Sequence, residues 1–140
     1  GPYHFPEKLI PLAIKNLLTG GEIPIYGDGK NIRDWLYVED HACGIESVLE
    51  QGVPGEVYNI GGEEVITIGE MLEILKSRAH CKIEHQVDPS LLRSSDVTLQ
   101  IPDVSKFRQA TGWRPEIPLK DPLRDLLDYH RNRIRSMAVN

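Results

Sequence analysis

The chain has 140 residues, 40% of them apolar and 26% charged, the proportions of an ordinary folded domain able to bury a modest core. A net charge of −5 argues against a general nucleic-acid binder, which needs a basic face. Cys43 and Cys81 lie far apart and make no paired motif, which fits free thiols in a reducing cytoplasm. No apolar run approaches membrane-spanning length, and no signal or transit peptide is read at Gly1.

From Glu7 to Leu18 the residues Leu9, Ile10, Ala13, Ile14, Leu17 and Leu18 recur at helical spacing, with Gly20-Gly21 as the stop. Ile23–Tyr26 and Arg33–Val38 read as short strands flanking a Gly27-Asp28-Gly29 turn. A helix over Glu39–Glu50 starts on acids, which suit its dipole, and ends at Gln51-Gly52. Val57–Ile60 reads as a strand ended by Gly61-Gly62. Thr67-Ile68-Gly69-Glu70 is a capping box for a helix over Ile68–Arg78, striped with Met71, Leu72, Ile74 and Leu75.

Ile83–Val87 reads as a strand leading into a loop over Asp88–Val97. Asp103 then caps a helix to Thr111, stopped by Gly112. Asp121-Pro122 opens the last helix, whose basic end at Arg131, Arg133 and Arg135 reads as solvated. With no repeat and no low-complexity linker, residues 1–140 form one unit.

The stretch from Glu22 to Ala42 is the most informative. Glycine turns let backbone amides approach a ligand closely. Arg33, a few residues on, carries a planar fork suited to a phosphate, and Tyr26 offers a flat face for a base or sugar. On spacing alone the stretch reads equally as a surface hairpin with an ion-paired arginine. Tyr26 and Lys30 have Tyr-x-x-x-Lys spacing, but two intervening glycines argue against the helix that would put both on one face. His80, Cys81 and His85, or His41 and Cys43, do not make four ligands at zinc spacing, so no metal is expected. No nucleophile elbow supports a serine hydrolase.

These residues carry a resemblance. Pro24-Ile25-Tyr26-Gly27-Asp28-Gly29, Arg33-Asp34-Trp35 and Tyr37-Val38, with Asp40 and Ala42, resemble a signature of the extended short-chain dehydrogenase/reductase family in its nucleotide-sugar 4,6-dehydratase branch. Gly1–Pro11 and Tyr58-Asn59-Ile60-Gly61-Gly62 are similar to the dTDP-sugar side of that branch. Asp88–Val97 and Gly112–Leu119 are similar to its GDP-mannose side, so dTDP, GDP and UDP all stay open.

The resemblance implies an α/β chain of helices and short strands, α+β-like as a fragment. It would be the C-terminal substrate-binding region of an extended Rossmann-type enzyme. The N-terminal Rossmann domain, with NAD and the catalytic residues, would lie outside it. The implied parent is an NAD-dependent lyase, cytoplasmic and homodimeric, that makes a 4-keto-6-deoxy sugar nucleotide. The fragment is expected to be inactive alone and able to stand as a monomer. A 4-epimerase, a 4-keto reductase and a non-enzymatic binding or structural fragment are the alternatives.

By resemblance, the nucleoside-diphosphate hexose would be held by Glu7, Lys8, Leu9, Pro24, Ile25, Tyr26, Arg33, Thr67 and Arg93. None of these is assigned as catalytic, as a metal ligand or as a cofactor contact. Arg33 and Arg93 would together clamp the diphosphate; the alternative is two surface ion pairs, with Asp34 and Asp96 as partners. Thr67 reads first as a helix cap. Two departures from the family pattern are Ser94, where a proline is commoner, and Cys43, where relatives carry arginine.

Overall fold

The computed structural model describes residues 1–26, 28–80, 85–88 and 97–138. In chain order the elements are α1 (Leu9–Thr19), β1 (Ile23–Tyr26), β2 (Ile32–Trp35), α2 (Val38–Gln51), β3 (Glu64–Thr67), α3 (Ile68–Ala79), β4 (His85–Asp88), β5 (Leu99–Gln100), α4 (Ser105–Thr111) and α5 (Lys120–Met137). This is the mixed helix and short-strand chain expected.

The strands form two small sheets. In one, β1 pairs with β4 in parallel, Ile23 opposite His85. In the other, β2 is central, antiparallel to β3 and parallel to β5. The two strands that flank the glycine turn therefore belong to different sheets, and the hairpin reading fails. Their partners come from residues well downstream, which local pattern cannot reveal.

The apolar stripes decide the packing. Ala13, Ile14 and Leu17 of α1 meet Met71, Leu72 and Leu75 of α3 and Leu123, Leu126 and Leu127 of α5 around Ile23 and Ile25 of β1. The α1 helix ends where Gly20 adopts the left-handed conformation at φ 76°, which costs glycine little because it lacks a Cβ. A smaller cluster centres on the buried Phe107 of α4, between Tyr58 at 6.5 Å and Trp113 at 5.3 Å. There α2 comes in so close that a Cβ on Gly44 would stand 2.9 Å from Ile60.

Several expectations shift in detail. Val57–Ile60 carries no strand, and β3, a four-residue element with no alternation to mark it, goes unread in the sequence. The strand from Arg33 stops at Trp35, because the α2 helix begins at Val38. Arg131 is not simply solvated: it pairs with Asp128 at 2.9 Å. Of the predicted strand over Ile83–Val87, residues 83 and 84 lie outside the described residues.

Two carboxylates, the buried Asp40 and the half-buried Glu64, fasten the return of the chain. Asp40 on α2 accepts from the Glu116 N–H at 3.2 Å through Oδ1 and from the Ile117 N–H at 3.0 Å through Oδ2. Glu64 accepts from the Leu119 N–H at 2.7 Å. Together they hold the segment before α5 against α2 and β3.

Candidate functional site

The glycine turn is built from its own side chains outward. Asp28 Oδ1 accepts from the Lys30 N–H at 3.0 Å, an Asx turn. Gly29 takes φ 73° and is buried. Its carbonyl accepts from the Gly69 N–H at 2.9 Å, and the Asn31 carbonyl accepts from the Ile68 N–H at 3.0 Å. The turn is thereby fastened onto the first residues of α3.

The capping box completes that junction. Glu70 N–H donates to Thr67 Oγ1 at 3.1 Å, while Thr67 N–H donates to Glu70 Oε2 at 2.7 Å. These bonds from Thr67 hold the Glu70 carboxyl below its ordinary pKa. The amides of Ile68, Gly69 and Glu70 all have protein partners, so this helix start offers no seat for a phosphate.

Arg33 lies on β2, opposite Ile66 of β3 and Gln100 of β5. Its Nη1 donates to the Ile32 carbonyl at 2.9 Å and to the Val97 carbonyl at 2.7 Å. Arg33 lines a groove of about 580 Å³ with Asp34, Asn59, Leu99, Gln100, Ile101 and Pro102. Asp34 is turned away from the ion pair proposed for it: Oδ2 accepts from the Gly62 N–H at 2.7 Å. Its Oδ1 is buried and has no hydrogen-bond partner among the described residues. Asn59 donates to the Asp103 carbonyl at 3.1 Å, which anchors one wall of the groove.

Of the residues assigned by sequence, Pro24, Ile25 and Tyr26 lie on β1, the strand that enters the turn, and Thr67 stands opposite Ile32 next to Arg33. Turn, β2 and the start of α3 thus gather Ile25, Arg33 and Thr67 into one region. Ile25 is 1% exposed and packs in the core, so only its backbone is available. Lys8 is the residue before α1 and Leu9 its first; Glu7 and Lys8 are exposed, and Leu9 packs on the core. Arg93 lies outside the described residues. Asn59 and Gln100 went unassigned in the sequence, since neither a period nor a charge marks them.

A dinucleotide site needs a glycine turn that opens a helix with free amides. Here the turn leads into β2, and the amides of Ile68, Gly69 and Glu70 at the start of α3 already have protein partners, so the described residues do not form a turn of that kind. They also contain no group of three His, Cys, Asp or Glu side chains able to hold a metal ion. Cys43 is a free, exposed thiol on α2, and no described helix is long and apolar enough to cross a membrane.

The same fold recurs in enzymes of nucleotide sugars. A dTDP-glucose 4,6-dehydratase of Bacillus anthracis, crystallised with NAD, superimposes with a TM-score of 0.82 at 36% identity, covering 94% of this chain and 42% of that one. A UDP-glucose 4-epimerase of Thermotoga maritima, crystallised with UDP-glucose, gives 0.87 at 29% identity over 96% and 43%. The class is therefore that of the extended short-chain dehydrogenase/reductases that act on sugar nucleotides. Within it the chain belongs to the GDP-mannose 4,6-dehydratase family, whose model matches residues 1–126. Relatives include dTDP-glucose 4,6-dehydratase 1 of Escherichia coli, 40% identical over 93% of this chain and 38% of that protein. The dTDP-glucose 4,6-dehydratase of Neisseria meningitidis is 42% identical over 93% and 39%. The chain thus spans about two fifths of the length of these relatives.

Proposed function

We propose that this chain is the nucleoside-diphosphate-sugar-binding region of an NAD-dependent 4,6-dehydratase that makes a 4-keto-6-deoxy sugar nucleotide. The observation that carries the reading is the placement of Arg33, the family's arginine, on the wall of a polar groove of about 580 Å³. A guanidinium held in a groove beside amide side chains is suited to diphosphate oxygens, which need several donors at fixed angles. Grip on the remote nucleotide would hold the hexose in place for reaction, and hexose chemistry would fall to residues outside this chain. NAD, where bound, supplies the hydride transfer. Arg93 joins this reading through the family resemblance alone, and the Gly27–Gly29 turn serves it as a structural staple.

A surface feature supports a larger parent. Val38, Ala42, Ile45 and Leu49 fall at helical spacing on α2 and are all exposed, Leu49 at 81%. Apolar strips of this kind are normally covered. We assign the cover to the cofactor-binding portion of a cytoplasmic parent, which in the family is a homodimer. The dehydratases of Escherichia coli and Bacillus anthracis match at 40% and 36% identity and the Thermotoga maritima epimerase at 29%, which favours dehydration.

Calorimetric titration of the chain with dTDP, GDP and UDP tests the grip. One diphosphate should bind, and Arg33→Ala should abolish it while Arg33→Lys restores only part. Binding that survives Arg33→Ala would overturn the assignment of the groove.

A further inference from the structure

A second groove, remote from Arg33 in sequence and in its lining, lies between the N-terminal segment and the helices α1 and α5. Its volume is about 580 Å³, within the range of small-molecule sites. Tyr3 meets Tyr129 edge-on at 6.1 Å, and Tyr129 meets His130 at 5.2 Å, a ladder of rings that seats the segment on α5. Pro2, Pro6, Pro11, Ile134 and Met137 make the rest of the lining largely apolar. Tyr3 and Phe5 are 90% and 68% exposed, so flat apolar faces stand open at the rim.

The charge in this lining is of one sign. Lys15 on α1 and Arg133 on α5 are its charged side chains, and no carboxylate lines it. Elsewhere on α5, Arg124 and Arg131 are paired with Asp125 and Asp128; Lys15 and Arg133 make no ion pair among the described residues. Among the described residues the Arg133 guanidinium donates to the Tyr129 hydroxyl alone, at 3.5 Å. His4, His130 and Thr19 make up the rest of the lining, and burial lowers the pKa of both histidines.

We propose that this groove is a second ligand site, for a small aromatic carboxylate. The ring would lie against Tyr3, Phe5 and the prolines, and the carboxylate would take Lys15 and Arg133 from opposite walls. Two cations with no carboxylate beside them, on the rim of an apolar slot, favour such an occupant over a neutral one, because each can make a charge-assisted hydrogen bond to the carboxylate while the slot takes the ring.

The test uses the 140-residue chain and two probes of nearly equal shape, naphthalene-2-carboxylate and 2-naphthamide, followed by amide-resolved NMR titration. The carboxylate should shift Lys15, Thr19 and Ile134 saturably and bind about tenfold more tightly than the amide. Lys15→Gln and Arg133→Gln, both at exposed positions, should each weaken it severalfold, and the diphosphate bound at the Arg33 groove should not displace it. Equal binding of the two probes by the unaltered chain overturns the proposal, whatever the variants do. So do the absence of binding, shifts confined to other residues, or displacement by the diphosphate. Failure here leaves the Arg33 titration untouched, since that experiment reads a different groove.

Discussion

Gly62 lies so close to the Trp35 carbonyl that a Cβ would collide with backbone, and Asp34 Oδ1 stands 3.1 Å from the same point. The preceding Gly61 is equally confined, with Pro102 and Asp34 both under 3.0 Å from an added Cβ. This pair lets the chain after Asn59 lie flat on β2 and lets the Gly62 N–H reach Asp34. Gly62→Ala should therefore destabilise by about 2–4 kcal/mol, read as a lowered urea midpoint at unchanged slope. Gly29 differs: it sits at φ 73° with Ile25 at an ordinary 3.4 Å, so Gly29→Ala should cost only about 1 kcal/mol of backbone strain. Which glycines are constrained by contact and which by conformation was invisible in the sequence, because the atoms that crowd Gly62 belong to residues up to 28 positions away.

At the scale of elements, the junction of turn and α3 has two layers. The capping box was legible, since Thr67 and Glu70 are neighbours in sequence and the bond pattern is local. The carbonyls of Gly29 and Asn31 that satisfy the next two amides were not, as nothing in the sequence pairs them with α3. Thr67→Ala should cost about 1 kcal/mol, and Thr67→Ser far less, in thermal or urea unfolding.

The same bonds set a pH dependence. Glu70, bonded by Thr67, Asp103, bonded by Ser105, and Glu56, bonded by Lys106, all have pKa values lowered in the folded chain. A lowered carboxylate pKa contributes stability that is fully present above the unfolded value and is lost as pH falls through the folded one. The melting temperature should thus fall as pH drops below about 4, and Glu70→Gln, which removes the titrating carboxyl, should flatten that fall. An acid transition unchanged by Glu70→Gln would remove Glu70 from this account.

For the molecule as a whole, α1, α3 and α5 share one core around β1, and Leu72 and Leu127 are completely buried in it. Leu72→Ala should cost about 2–5 kcal/mol, enough to unfold much of a chain of this size at moderate denaturant. The exposed strip on α2 makes the opposite prediction. Ile45→Ser and Leu49→Ser together should change the stability of the isolated chain, read by urea unfolding, by less than about 0.5 kcal/mol per site. A large loss of stability would mean that the strip already packs within the chain.

The sequence by itself determined the helices, their stops, the capping box and the family, because each rests on spacing between near neighbours or on short motifs. It also marked Arg33 and the glycine turn as the place to look. The tertiary structure alone decided that the strands on either side of that turn pair with different partners. It also decided that the turn is fastened to the start of α3 through the Gly29 and Asn31 carbonyls, and that Asp34 faces Gly62 instead of Arg33. Strand pairing and groove lining join residues tens of positions apart, and the free energy that selects them comes from burial and hydrogen-bond satisfaction across the whole chain, which no local pattern records.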